Sequence, residues 1–180
     1  MTAPTPATPD PTDSARTGQS AADPLMPARL APYDWSLYLV TDSAQCAAAG
    51  RTVPQTVAEA VAGGAGIVQI RDKHASDEEV AALTRDTIAA IEATGRTIAP
   101  AEPPASQPPV AVFIDDRLEV VRSLRAEGLD VHIHVGQTDE PVERIRAVLG
   151  PDPLVGLSAG SPAEFSVEGS RAGRPRGRRT

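Results

Sequence analysis

Five short apolar runs, each followed by polar or charged residues and each separated from the next by a segment of helical periodicity, limit what this chain can become. They lie at 37–41 (LYLVT), 66–70 (GIVQI), 110–114 (VAVFI), 131–135 (VHIHV) and 154–157 (LVGL). Runs of this length, rich in Val, Ile and Leu, suit strands buried on both faces. The intervening segments carry helix signals. Pro54 stands where a first turn tolerates proline, and Val57, Ala58 and Val61 share one face. Ser76 to Glu79 (SDEE) is a capping box ahead of Val80, Leu83, Thr87 and Ile91, and Gly95 closes that helix. Val120, Val121 and Leu124 mark a third helix, and Pro141 opens another that buries Val142, Ile145, Val148 and Leu149. Strands alternating with helices predict an α/β fold with a parallel sheet and right-handed crossovers.

The 180 residues are expected to hold one domain with tails. Residues 1–34, rich in Pro, Ala, Thr, Ser and Asp, lack apolar periodicity and are expected to be a disordered N-terminal tail, with order beginning near Trp35. The proline-rich stretch 99–109 reads as a surface excursion between helix and strand. A net charge of -7 argues against a general nucleic-acid binder, which needs a basic surface. The single cysteine, Cys46, excludes an internal disulfide framework and a thiolate zinc cluster, and reads as inert. No apolar run approaches 18 residues and no export signal is evident, so a cytoplasmic chain with no membrane partner is expected.

Polar residues gather at the ends of the strands, not at their starts. In GIVQIRDK (66–73), Gln69, Arg71 and Lys73 occupy alternate positions and are expected to point the same way. With Asp115, Asp116, Gln137, Asp139 and Ser158 they form the rim where parallel α/β sheets place reactive groups. Two cations near several carboxylates suit a polyphosphate, the cations touching oxygens and the carboxylates holding Mg2+. Blander readings stand beside this one. GIVQIRDK alone could run into a solvated turn, Asp139 could cap the helix at Pro141, and Asp116 with Arg117 could be a solvated helix start. His132 and His134 face one side of a strand, but no third metal ligand is spaced near them. Ser158 has neither a GxSxG setting nor an obvious histidine partner, so it is not expected to be a nucleophile.

VQIRDK at 68–73, FIDDR at 113–117, VHIHVGQTDEP at 131–141 and VGLSA at 155–159, in that order, resemble the thiamine-phosphate synthase family over about Trp35 to Glu164. The resemblance implies a (β/α)8 TIM-type barrel, here incomplete with about five βα units over residues 35–165. It implies a transferase that joins hydroxymethylpyrimidine diphosphate to a thiazole phosphate and releases diphosphate. Gln69 would contact the pyrimidine, Arg71, Lys73 and Ser158 the diphosphate, and Asp116 and Asp139 would hold Mg2+. The family's reaction is dissociative: diphosphate departs, and the thiazole nitrogen captures the pyrimidine-stabilised cation. It needs no catalytic base or nucleophile. Asp115, counted among the substrate-binding residues, stands where the family usually has Asn, and Gly160 replaces a polar or imidazole side chain.

From Gly169 the sequence turns to GSRAGRPRGRRT, with five arginines and no Val, Leu or Ile to bury, after a sixth helix start at Ser161, Pro162 and Glu164. Residues 166–180 are therefore expected to be a basic disordered tail, read as the out-of-frame end of a truncated chain or, less favoured, as an RNA-binding arm. A partial barrel leaves edge strands open, which predicts self-association. Two alternative functions remain at this point: a thiazole tautomerase-like relative and an inactive remnant.

Overall fold

The structure, a computed structural model, describes residues 27–100 and 106–160. Along the chain it places β1 (Tyr38–Val40), α1 (Ser43–Ala48), α2 (Val53–Ala62), β2 (Ile67–Ile70), α3 (Asp77–Ala93), β3 (Ala111–Asp115), α4 (Leu118–Ala126), β4 (Val131–Val135), α5 (Val142–Leu149) and β5 (Val155–Leu157). The five strands form one sheet in chain order, β1-β2-β3-β4-β5, and every neighbouring pair is parallel. The expected α/β alternation is met.

The two faces of the sheet are covered differently. Val68, Ile70, Val112, Ile114, Ile133 and Val135 join Val57, Val61, Val80, Ile91, Leu124 and Ile145 of the helices in one core. The opposite face presents Ile67, Ala111, Phe113 and Leu154, packed with Tyr33, Leu30 and Trp35. Sequential parallel strands with the helices packed on a single face are the arrangement of a (β/α) barrel opened along its side. The inner face is built from the few aromatics this chain has: Trp35 lies edge-on to Phe113, and Tyr38 stacks on it.

Helix signals were accurate where their chemistry is local. The box at α3 forms as expected, Ser76 N–H donating to Glu79 at 2.7 Å and Glu79 N–H to Ser76 Oγ at 3.2 Å. A second box at α2 pairs Thr52 with Gln55, with Pro54 between them. Arg96 donates twice to the carbonyl of Pro108, at 3.0 and 2.6 Å, and so ties together the ends of the proline-rich excursion.

Some of the structure differs from expectation, and some expectations fall elsewhere. Residues 27–34, expected to belong to the tail, pack on the sheet: Leu30 N–H closes a turn on Pro27 at 2.8 Å, and Tyr33 is only 7% exposed against the inner face. Helix α1 had no apolar period to announce it; Asp42 caps it by accepting from Gln45 N–H at 2.9 Å. The tail expected over the first 26 residues, the helix start at Ser161 and the basic tail at 166–180 lie outside the described residues.

Candidate active site

The carboxyl ends of β1, β2 and β3 open onto two adjoining clefts. One, of about 440 Å3, is lined by Asp42, Ser43, Ala44, Arg71, Asp72, Lys73 and His74. The other, of about 260 Å3, is lined by Asp72, Lys73, Asp115, Asp116 and Arg117. Both are walled by the β2 to α3 loop, so the position of that loop decides the shape of the site. Arg117 holds it from across the sheet, donating to Asp77 Oδ1 at 3.0 Å and to the carbonyls of Ala75 and Asp72 at 3.1 and 3.4 Å. Asp72 closes the loop on itself by accepting from the N–H groups of His74 and Ala75. Thr41 Oγ1 accepts from Arg71 N–H at 3.1 Å and fixes the first residue after β2. Arg117 does stand at the start of α4, as its N-cap residue, but its side chain is engaged with this loop and not simply solvated.

The charged members of the rim converge. Arg71 Nε lies 3.3 Å from Asp115 Oδ2 at the end of β3. Asp116, the next residue, has φ of 60°, the left-handed region that a non-glycine residue rarely occupies. Its N–H donates to His134 O at 2.9 Å, so pairing with β4 holds the unusual backbone in place. Burial, then the negative charges of Asp115 and Asp139 and a hydrogen bond with Asp139, push the Asp116 carboxyl up to about 6, while Lys73 pulls it the other way.

Asp139 does not cap α5. Pro141 is the N-cap residue there, and no side chain caps the helix. Instead Asp139 Oδ2 turns back and accepts from Gly136 N–H at 2.8 Å. A Cβ at Gly136 would stand 2.6 Å from that oxygen, so glycine makes the close approach possible.

A second, less charged group crosses the inner face. Gln69 is buried, 4% exposed, and its Nε2 donates to Tyr38 Oη at 3.0 Å. Tyr38 Oη lies 3.4 Å from His134 Nδ1, and His134 Nε2 lies 2.9 Å from Ser158 Oγ. Ser158 therefore does have a histidine partner, contrary to expectation, and it arrives from the neighbouring strand. Burial pulls the His134 pKa down, with Asp115 opposing. Gln137 Nε2 donates to the carbonyl of Ser158 at 2.7 Å and ties the ends of β4 and β5 together. His132 belongs to the floor of the sheet. It is 2% exposed, 3.3 Å from Tyr33 Oη, and burial pushes its pKa down to about 4.

Gln69, Arg71 and Lys73 thus serve different places. Gln69 is buried in the inner face, Arg71 braces Asp115, and Lys73 is exposed between the two clefts. Among the described residues no group of three or more His, Cys, Asp or Glu side chains is gathered to hold a metal ion. A pair of carboxylates sharing a hydrogen bond, with one pushed up by burial and then by its neighbours' charge, is nevertheless a donor set that a divalent cation would relieve. Mg2+ asks for one or two protein carboxylates when substrate phosphates complete its shell.

A family model described as thiamine monophosphate synthase matches residues 37–173. The thiamine-phosphate synthase of Azorhizobium caulinodans is 38% identical over 136 residues, covering 76% of this chain and 55% of that protein. Its counterpart in Clostridium novyi is 31% identical over 140 residues, covering 78% of this chain and 58% of that one. The solved structure of a thiamine phosphate pyrophosphorylase from Pyrococcus furiosus matches with a TM-score of 0.54 at 24% identity, over 75% of this chain and 55% of that chain, a likeness of fold. The chain spans about half the length of the curated relatives it matches.

Proposed function

The chain belongs to the thiamine monophosphate synthase family, and we propose that its strand-end rim binds a pyrimidine diphosphate with Mg2+ for transfer to a thiazole phosphate. The observation that carries this reading is the convergence of Arg71 and Lys73 with Asp115, Asp116 and Asp139 at the ends of β2 to β4. Phosphate oxygens need cationic donors, and a diphosphate brings its own charge into a site already crowded with carboxylates. Lys73, exposed between the clefts, is placed to meet a phosphate as a point charge. Arg71 offers the guanidinium N–H groups that its contact with Asp115 leaves free. Asp115 in this reading steadies Arg71 and contributes to substrate binding through it.

Asp116 and Asp139 would hold the Mg2+, which supplies positive charge to phosphate oxygens as they leave. Gln69 faces the pyrimidine ring from the inner face, and Ser158 meets the diphosphate from the end of β5. The work of these residues is electrostatic and positional: they favour charge on a leaving diphosphate and hold two reactants near one another. No residue is assigned as a catalytic base or nucleophile. A tautomerase reading is less well supported, since an isomerase has no use for paired cations and carboxylates around a diphosphate.

No helix among the described residues is long and apolar enough to cross a membrane, and the reading keeps small-molecule substrates as the partners, in the cytoplasm.

The test compares two measurements on the full chain: Mg2+-dependent binding of the pyrimidine diphosphate, and product formation when the thiazole phosphate is added. Binding together with product supports the synthase. Binding without product limits the chain to the first substrate, and absence of both defeats the reading.

A further inference from the structure

The contacts Gln69 to Tyr38, Tyr38 to His134 and His134 to Ser158 run from β2 through β1 and β4 to the end of β5 without a break. A phenol has one proton, and a neutral imidazole has one N–H. The phenol oxygen could accept twice, so the run has a single direction only when Tyr38 and His134 each accept once and donate once, which is the arrangement that leaves no proton of theirs without a partner. Gln69 Nε2 donates to Tyr38 Oη, so the Tyr38 proton goes to His134 Nδ1, His134 carries its own proton on Nε2, and that proton goes to Ser158 Oγ. The Ser158 hydroxyl proton is then left to point away from the chain of bonds, and at the other end Gln69 keeps its carbonyl oxygen for a ligand.

We propose that Tyr38 and His134 are positioning residues that set the hydrogen-bond polarity of the site, so that Gln69 offers an acceptor to an amino group on the ligand's ring and Ser158 offers a donor to its phosphate. This rests on the pyrimidine diphosphate reading of the rim. The reverse polarity would turn an amide N–H toward the ring and an oxygen lone pair toward the phosphate, which suits neither an amino group nor an anion. The surroundings hold the relay in register. Tyr38 is stacked on Phe113, and His134 lies against Gly156, where any Cβ would collide with Nδ1. Tyr38 makes both of its polar contacts with one oxygen, so its loss frees the Gln69 amide to turn over and leaves His134 Nδ1 without a donor.

Two experiments on the full chain test this. The first needs no substrate: long-range 15N–1H correlation spectra of the imidazoles should show His134 protonated at Nε2, and Tyr38→Phe should convert it to a tautomer mixture. His134 protonated at Nδ1 in the unsubstituted chain would overturn the polarity. The second compares binding of an aminopyrimidine diphosphate with its ring-oxo analogue. The unsubstituted chain should favour the amino compound by about 100-fold, the cost of facing two acceptors together, and Tyr38→Phe should reduce that ratio to below about tenfold. Tyr38→Phe binding both compounds more weakly with the ratio unchanged would reduce Tyr38 to packing and overturn the proposal. Should the unsubstituted chain bind neither compound, the reading of the site fails, while the tautomer still decides the relay.

Discussion

Asp116 combines a positive φ with a carboxyl that burial, and then the charges of Asp115 and Asp139, hold up to about 6. The folded chain therefore binds more protons than the unfolded chain between the ordinary aspartate value and about 6, and its stability falls as pH rises through that window. Without metal, Asp116→Asn removes this effect and should raise stability at pH 7 by about 1 kcal/mol after allowance for solvent screening, aided by the tolerance of Asn for φ above zero. Urea denaturation from pH 4 to 8 checks this: the unsubstituted chain should lose stability as pH rises to about 6 and level off above it, and the variant should lack that loss. Mg2+ should then raise the midpoint of the unsubstituted chain and leave Asp116→Asn unmoved. Gly136→Ala should cost about 1 kcal/mol, read by the same denaturation, because it displaces the Asp139 carboxylate from Gly136 N–H. At this scale the sequence showed which residues stand at strand ends but not what each one touches. Asp139 two residues before Pro141 looks like a cap, and only the fold reveals that it turns back to Gly136. Ser158 and His134 are far apart in sequence, and parallel pairing of β4 with β5 makes them neighbours.

Secondary structure was legible wherever its cause is local. Ser76 with Glu79 and Pro54 with the apolar stripe behind it state a helix start in a few residues, and both helices form where expected. Ser76→Ala should cost about 1 kcal/mol through loss of the α3 cap, measurable as a lower melting temperature with unchanged ligand binding. What escaped was structure stabilised at a distance. Helix α1 is six residues long with only Cys46 buried, so it has no period to detect. Residues 27–34 have the composition of a tail, yet Leu30 and Tyr33 cover Ile67, Phe113 and Leu154 because the sheet offers them an uncovered apolar face. Tyr33→Ala should therefore destabilise the whole sheet by about 3 kcal/mol, as for other large buried aromatics, and a change below about 1 kcal/mol would show that this segment merely rests on the surface.

For the molecule as a whole, the alternation of strand and helix was enough to give a parallel sheet, whereas the chain order of its strands came only with the family resemblance, and the shape of the open barrel follows from placing the helices on one face. Its edges remain the weak point. β1 and β5 each pair on one side among the described residues, and Leu37 is 51% exposed, Val40 49% and Leu157 45%. Such edges invite pairing with other copies. Sedimentation velocity should show concentration-dependent association that Val40→Lys together with Leu157→Lys suppresses, and a monodisperse monomer at high concentration would contradict it. The central claim, that the strand-end rim is a Mg2+-dependent pyrimidine diphosphate site, meets its most direct test in titration calorimetry of the full chain with that diphosphate, with and without Mg2+, and in a Lys73→Ala variant. Binding that needs Mg2+ and weakens about tenfold or more in the variant is the expected result; binding indifferent to both the metal and Lys73, or no binding at all, would contradict it.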